Sequence, residues 1–164
     1  MHPFRKRKNS LRLKGYDYTT DGVYFITIFV RNRMRVLGEV IDGRMQLSAL
    51  GAIVEDVWLS LPQHYQNVLL DVHCVMPDHF HGILSITQPT GVDPDMILKN
   101  HGLSEIIRNF KAYSSRFVNE YQGTVGVRFW HRGYYDHIIC NHDEWMRMAN
   151  YIRNNARNLK NENV

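Results

Sequence analysis

Two histidines one residue apart are the first feature of the sequence that could do chemistry. His79 and His81 flank Phe80 in an apolar segment with the pattern of a β-strand. Alternate residues of a strand point to one face of a sheet, so both imidazoles should project side by side while Phe80 enters the core. Two imidazoles supply half of a metal site, and Asp78 could orient one of them through a ring nitrogen. The alternative is that both histidines are merely polar residues on the solvated side of a sheet.

A tyrosine and an asparagine further along form the second candidate group. Tyr151 and Asn155 are four residues apart in a segment of helical character, so they share one helix face, about 6 Å apart along its axis. If that face meets the histidines, the Asn155 carboxamide completes a two-histidine, one-amide metal site. The Tyr151 hydroxyl could then attack a metal-polarised phosphodiester, giving a phosphotyrosine and a free hydroxyl.

Other tyrosines compete for the role of nucleophile. The chain has nine, and a tyrosine on an amphipathic helix is more often a residue at the edge of the core. Tyr134 and Tyr135 are rivals in a predicted strand, where Tyr135 is expected to pack between helix and sheet. Position on the last helix favours Tyr151. Arg153, on the same helix, is a candidate DNA contact.

The strands that must position these residues are marked by β-branched and aromatic runs. Residues 23–30 predict a central strand covered on both faces, and residues 31–35 end it with charge. Two more strands, 68–75 and 80–86, are separated by Met76, Pro77 and Asp78, which suits an antiparallel pair. Asp42 and Gly43 predict a tight hairpin within residues 36–47. Further β structure is predicted over residues 127–130 and 134–140.

Three helices are predicted from apolar spacings of three and four residues. Ser48 is the predicted N-cap of the first, which should end near Pro62, and Ser104 that of the second. Asp143 is the predicted N-cap of the last, which should run to about Lys160. The expected apolar face of the second helix comprises Ile106, Ile107, Phe110, Tyr113, Ser114 and Phe117. Residues 87–102, rich in proline and glycine, predict a loop.

The order of the elements without the hairpin is β-α-β-β-α-β, followed by a helix. We therefore expect an α+β fold: a ferredoxin-like, RRM-like sandwich with an antiparallel central sheet and an extra C-terminal helix carrying the tyrosine. The short connection between the two middle strands argues against a doubly wound parallel sheet, which needs a helical crossover there. Residues 15–164 are expected to form one domain.

Positive charge is concentrated at the start of the chain. The formal net charge is +4, yet residues 1–14 alone carry six basic side chains and no acidic one: Arg5, Lys6, Arg7, Lys8, Arg12 and Lys14. This basic N-terminal arm could contact DNA phosphates, because each neutralised phosphate releases a counterion. The alternative is a solvated tail that aids solubility.

The composition excludes several other classes of protein. No apolar run approaches 18 residues and the N-terminus is charged, so we expect a cytoplasmic protein without a membrane partner. Cys74 and Cys140 belong to no zinc-type spacing, and we expect both to be reduced core residues.

Four stretches together resemble one known family, the REP-associated tyrosine transposases within the HUH single-tyrosine transposases of bacterial insertion elements. They are residues 22–27 (GVYFIT), 75–83 (VMPDHFHGI), 129–139 (FWHRGYYDHII) and 151–155 (YIRNN). They occur in the family's order and span about residues 15–160. The joint pattern is far more specific than any one stretch.

The resemblance implies an RRM-like fold whose central sheet presents the HUH histidines and whose mobile C-terminal helix delivers the tyrosine. His79, His81 and Asn155 match the metal ligands, and Tyr151 matches the nucleophile. Such enzymes use Mg²⁺ or Mn²⁺, cut single-stranded DNA that often contains hairpins, and leave a 5′-phosphotyrosine and a 3′-hydroxyl. Relatives include monomers as well as dimers that exchange the tyrosine helix, so a homodimer is one assembly to consider. One departure is Ala156, where the family usually has proline.

Two other function classes stay open. A domesticated, catalytically inactive module that binds single-stranded or hairpin DNA would bind without cleaving. A small zinc hydrolase would need an acidic general base near His79, and Asp78 is the one acid that the sequence marks there.

Overall fold

The computed structural model describes residues 21–87 and 101–159. The basic arm over residues 1–14, most of the loop predicted over residues 87–102 and the predicted helix end at Lys160 lie outside these ranges. The described elements, in chain order, are β1 (Gly22–Phe29), a 3₁₀ helix (Arg31–Arg33), β2 (Gly38–Ile41), β3 (Arg44–Leu47), α1 (Ala49–Leu59), α2 (Leu61–His64), β4 (Val68–Met76), β5 (His79–Ile86), α3 (Leu103–Gln122), β6 (Tyr135–Ile139) and α4 (His142–Asn158).

Four of the described strands form one sheet in the order β4-β5-β1-β6, with every neighbouring pair antiparallel. Strands β1 and β4, joined through α1, run parallel with β5 between them, and β5 and β6, joined through α3, enclose β1. This interleaving is the ferredoxin-like arrangement, and α4 is the extra C-terminal helix, so the predicted fold class is confirmed. Strands β2 and β3 form the predicted hairpin, with Asp42 (φ 50°) and Gly43 (φ 73°) in left-handed conformation at its turn.

The helix starts differ in part from the prediction. Ser48 caps α1 and accepts a hydrogen bond from the Gly51 amide, as predicted. The prediction for Ser104 was wrong, because Gly102 is the N-cap of α3. The prediction for Asp143 was also wrong: α4 begins two residues earlier, because the Asn141 side chain accepts from the Glu144 amide.

Two predictions about apolar segments were also wrong. Residues 127–130 form no strand, and Trp130 makes only an isolated bridge to Val30. Val127 is 51% exposed, so an apolar residue here marks surface rather than a buried strand. On α3, Tyr113 and Phe117 are exposed and the buried face turns instead through Val118 and Asn119.

The sheet carries a hydrophobic cluster on each face. The larger cluster packs α1 and α3 against Tyr24, Ile26, Ile28, Phe80 and Leu84, and the smaller one packs α4 against Phe25, Ile83 and Ile139. Cys74 and Cys140 are unpaired thiols as predicted, but only Cys74 is partly buried and Cys140 is exposed at a strand end. No helix within the described residues is long and apolar enough to span a membrane.

Candidate active site

Strand β5 presents the two histidines to the face that α4 covers. Phe80 is fully buried on the opposite face, where its ring centroid lies 4.7 Å from that of Trp58 and 5.4 Å from that of Phe110. This packing fixes the strand, because a buried aromatic pair resists rotation. His79 is partly buried and His81 is 4% exposed. The predicted alternation along β5 is confirmed, but the histidines lie beneath a helix and not on a solvated surface.

Gly82 completes the motif because no side chain fits there. A Cβ atom on Gly82 would lie 2.6 Å from Cζ2 of Trp58 and 3.0 Å from Cε1 of Phe80. The indole ring therefore occupies the space of a side chain and presses directly on the β5 backbone. The strand that carries both histidines is held against the core through this contact.

The two imidazoles face one another through their Nε2 atoms, which lie 3.0 Å apart. His79 Nδ1 donates to Oδ1 of Asp78 at 2.6 Å, and a 2.8 Å hydrogen bond joins His81 Nδ1 to the buried Thr27 hydroxyl. An N–H at Nδ1 leaves the Nε2 of a neutral imidazole as a lone-pair donor. Both rings are therefore oriented by second partners, as metal-binding histidines commonly are.

Asp78 is held as a carboxylate beside His79. Burial would raise the pKa of Asp78, but the hydrogen bond from His79 and the charges of His79 and Arg33 outweigh it and hold this pKa below its ordinary value. Arg33 Nε lies 3.7 Å from the second carboxylate oxygen. The sequence-based suggestion that Asp78 bonds a ring nitrogen is confirmed.

Helix α4 places Tyr151 beside the two histidines. The Tyr151 ring centroid lies 5.4 Å from that of His81 at an interplanar angle of 70°, and 6.3 Å from that of Phe25. Of the rival tyrosines, Tyr135 packs with the α4 cluster, as predicted, whereas Tyr134 packs against the cluster on the other face. Tyr135 and Tyr151 thus both lie on the histidine face of the sheet, and the Tyr151 ring contacts that of His81.

Asn155 lies one turn beyond Tyr151 and is 6% exposed. Its Nδ2 atom is buried and has no hydrogen-bond partner among the described residues. Leaving an amide group unpaired costs about 1–3 kcal/mol, so an absent partner is expected at this position. A rotation about the last side-chain bond places the amide oxygen, a hard metal ligand, where the nitrogen now lies.

Polar contacts hold the start of α4 on the sheet. Trp145 Nε1 donates to Asp71 Oδ2 on β4 at 2.6 Å, and His137 Nε2 on β6 donates to Glu144 Oε1 at 2.6 Å. Glu144 also accepts from the Cys140 amide at 2.8 Å. Arg153 is exposed, with its guanidinium 5.9 Å from the centre of the Trp145 ring.

The distance between the two Nε2 atoms suits a divalent cation. Adjacent ligands of an octahedron with bonds of about 2.1 Å lie about 3 Å apart, which matches the 3.0 Å between the two Nε2 atoms. Among the described residues no group of three or more His, Cys, Asp or Glu side chains could hold a metal. Two imidazoles at this distance could take adjacent positions on a divalent cation, and the buried Asn155 amide lies on the helix whose Tyr151 ring contacts His81.

Sequence reasoning missed two residues beside the histidines. Thr27, which bonds His81, is the polar member of the run from Tyr24 to Val30, and a hydroxyl in a buried strand is a usable signal. Arg33 could not be linked to Asp78 from sequence, because the contact depends on how the segment after β1 folds back.

The described part of the chain has the fold of a REP-associated tyrosine transposase. The structure of such a transposase bound to a REP hairpin superposes with a TM-score of 0.59 at 18% identity, over 86% of this chain and 70% of that one. A candidate transposase from Deinococcus radiodurans gives a TM-score of 0.45 at 22% identity, over 87% of this chain and 95% of that one.

A sequence relative defines the family more narrowly. A Haemophilus influenzae protein of unassigned function is 31% identical over 159 residues, which cover 90% of this chain and 87% of that protein. The chain belongs to the family of this Haemophilus influenzae protein. No protein-family model matches the present chain.

Proposed function

We propose that this protein is an HUH single-tyrosine transposase that cleaves and rejoins single-stranded DNA, with Tyr151 as nucleophile. The contact between Tyr151 and His81, at 5.4 Å between ring centroids, carries this proposal. It brings a phenol to two imidazoles whose remaining nitrogens face one another. A phenol beside a metal-binding pair is an arrangement that suits transesterification of a phosphodiester.

His79, His81 and Asn155 would hold Mg²⁺ or Mn²⁺. When bound, the ion would withdraw charge from the phosphate and stabilise the charge that develops in the transition state. Asp78 and Thr27 keep the two rings in the orientation that directs Nε2 to it. Asn155, one turn after the proposed nucleophile, would contribute its amide oxygen.

The Tyr151 oxygen attacks the phosphorus, and the bond from phosphorus to the 3′-oxygen breaks. The phenol loses its proton and the leaving 3′-oxygen gains one, which gives a 5′-phosphotyrosine and a free 3′-hydroxyl. Attack of a 3′-hydroxyl on the phosphotyrosine reverses these steps and joins strands. No ATP is needed, because the covalent link conserves the phosphodiester bond energy.

The proposed substrate is single-stranded DNA that contains a hairpin. The transposase with the same fold is described with a REP hairpin bound. In this chain, the basic N-terminal residues and Arg153 are candidate phosphate contacts, and neutralised phosphates favour binding by counterion release. A homodimer that exchanges α4 between subunits is compatible with the same site.

The test is trapping of a covalent adduct. The protein is incubated with labelled single-stranded oligonucleotides from its own genomic flanks, with Mn²⁺ or with EDTA, and adducts are resolved on a denaturing gel. The wild type should form a metal-dependent adduct that Tyr151→Phe abolishes. Tyr135→Phe is the matched control, because Tyr135 lies on the same face of the sheet and should not be required.

Each outcome separates the open function classes. Tight DNA binding with no adduct on any flank sequence would favour a domesticated binding module. An adduct that persists in Tyr151→Phe and disappears in Tyr135→Phe would move the nucleophile to β6. Loss of the adduct in His79→Ala with an intact fold would assign metal dependence to the paired histidines.

A further inference from the structure

A run of arginines lies directly beside the candidate metal site. The segment between β1 and β2 contains Arg31, Arg33 and Arg35, all exposed and without an acidic neighbour in residues 31–35. Its backbone is fixed at both ends to the turn before His79: the Val30 amide donates to the Asp78 carbonyl at 2.9 Å, and Leu37 donates to Pro77 at 3.0 Å. These arginines are therefore held at the edge of the site.

The backbone of this segment is strained at its centre. Asn32 (φ 55°) and Arg33 (φ 56°) are consecutive non-glycine residues in the left-handed region. Asparagine tolerates this conformation, but for arginine it is unfavourable, and the surrounding structure has to maintain it. Strain of this kind concentrates at sites where a side chain must be aimed in one direction.

The strained backbone aims Arg33 at the site. Its guanidinium carbon lies 3.8 Å from the centre of the Phe29 ring, and Phe29 is paired with His79 across the sheet. Its Nε lies 3.7 Å from Asp78 Oδ2, yet the side chain remains 54% exposed. One face of the guanidinium thus rests on an aromatic ring, and its outer edge is accessible to a ligand.

We propose that Arg33 is a substrate-binding residue that holds a phosphate of the DNA strand next to the phosphate that is cleaved. A guanidinium presents a planar pair of N–H donors that matches two phosphate oxygens, and stacking on Phe29 fixes the plane of that pair. This inference takes the identity of the ligand, single-stranded DNA, from the proposed function. It does not depend on the cleavage step.

A purely structural role for Arg33 explains the geometry less well. An ion pair at 3.7 Å with a half-exposed arginine contributes little, because water screens it. The small stabilisation from this ion pair does not explain why Arg33 is held in the left-handed conformation, since Asp78 already receives a hydrogen bond from His79. A phosphate ligand accounts for the exposure, the stacking and the strain together.

The test measures DNA binding without metal. Affinity for fluorescein-labelled oligothymidylate is followed by anisotropy in EDTA over a series of salt concentrations, for wild type, Arg33→Gln and Arg33→Lys. Arg33→Gln should weaken binding about ten-fold or more, the effect of one lost charge-assisted contact. It should also reduce the slope of log affinity against log salt by about 0.7, the value for one phosphate of a single strand. Arg33→Lys should retain the slope but only part of the affinity.

Arg108→Gln is the matched control, because Arg108 is an exposed arginine of α3 on the opposite side of the sheet. An equal loss in that variant, or an unchanged affinity and slope in Arg33→Gln, would overturn the inference. If the wild type forms an adduct but Arg33→Gln binds DNA with unchanged affinity and slope, the role of Arg33 is rejected and the proposed transposase activity stands. If DNA binding depends on Arg33 but no adduct forms, the phosphate-binding role of Arg33 stands and the proposed cleavage is rejected.

Discussion

Tyr151 and His81 pack ring against ring, at 5.4 Å and 70°, although they lie on α4 and on the central strand β5. Because His81 is also tied to Thr27 and faces His79 through Nε2, this one contact joins the terminal helix to every other part of the candidate site. The geometry of the site therefore depends on where α4 docks, and the metal affinity that we propose for it depends on the partners of the two rings.

Asp78→Asn should weaken metal binding while leaving both imidazoles in place. The carboxylate orients His79 through Nδ1, and loss of such a partner typically costs 10–100-fold in metal affinity. Isothermal titration with Mn²⁺ measures this directly. Asp71→Asn removes a carboxylate charge but keeps an oxygen that can accept the hydrogen bond from Trp145, so α4 should stay docked and the affinity should stay close to wild type. Equal affinities for Asp78→Asn and wild type would show that Asp78 does not support the site.

Gly82→Ala should destabilise the fold. The added methyl group would lie 2.6 Å from the Trp58 ring, and overpacking of a buried aromatic contact costs about 1–3 kcal/mol. Urea unfolding followed by tryptophan fluorescence gives the change in free energy. Leu69→Ala, at a side chain that is 60% exposed, should change it by less than about 0.5 kcal/mol. A Gly82→Ala variant as stable as wild type would mean that Trp58 does not press on this strand.

Glu144 should make stability depend on pH in the acid range. The Cys140 amide, which outweighs the opposing effect of burial, and the neighbouring His137 and Arg147 hold the pKa of Glu144 below its ordinary value. A lowered pKa in the folded state means that the stabilisation is complete above the unfolded value of about 4.3 and is lost as pH falls through the lowered pKa. Unfolding free energies measured from neutral to acidic pH should show this loss.

Glu144→Gln should remove that part of the acid dependence and lower stability near neutral pH. Glu120→Gln provides the comparison, because Glu120 belongs to an exposed pair with Arg116 on α3. If both variants lose stability in parallel with wild type as the pH falls, the hydrogen bonds of Glu144 do not contribute.

Local patterns predicted the strand that carries the histidines, the Asp-Gly hairpin and the cap at Ser48, because each is decided by residues close in sequence. The predicted N-caps of α3 and α4 were wrong, because each helix start has two neighbouring residues that could serve as the cap. Ser104 lies inside its helix, and Asn141 precedes Asp143 and bonds the Glu144 amide. A choice between such neighbours depends on where the preceding loop enters, which local sequence does not specify.

The sequence pattern singles out the residues of the candidate site but does not give their contacts. Spacing placed Tyr151 and Asn155 on one face of a helix, but only the packing of Ile152 and Ala149 on the sheet decides that this face covers His81. The link from Arg33 to Asp78 depends on two left-handed residues, a conformation that the side chains themselves disfavour. Long-range packing and local strain were therefore the parts that the sequence pattern could not supply.

The role of Tyr151 as nucleophile can be tested by locating the residue that carries DNA after cleavage. The trapped adduct is digested with nuclease and trypsin, and the nucleotide-bearing peptide is sequenced by mass spectrometry. Trypsin separates the candidates, because Tyr151 lies in the peptide of residues 148–153 and both Tyr134 and Tyr135 lie in that of residues 133–147. If Tyr151 is the nucleophile, the nucleotide should be found on Tyr151 alone and only when a divalent metal is present. A nucleotide on the 133–147 peptide, or a metal-independent adduct, would contradict this prediction.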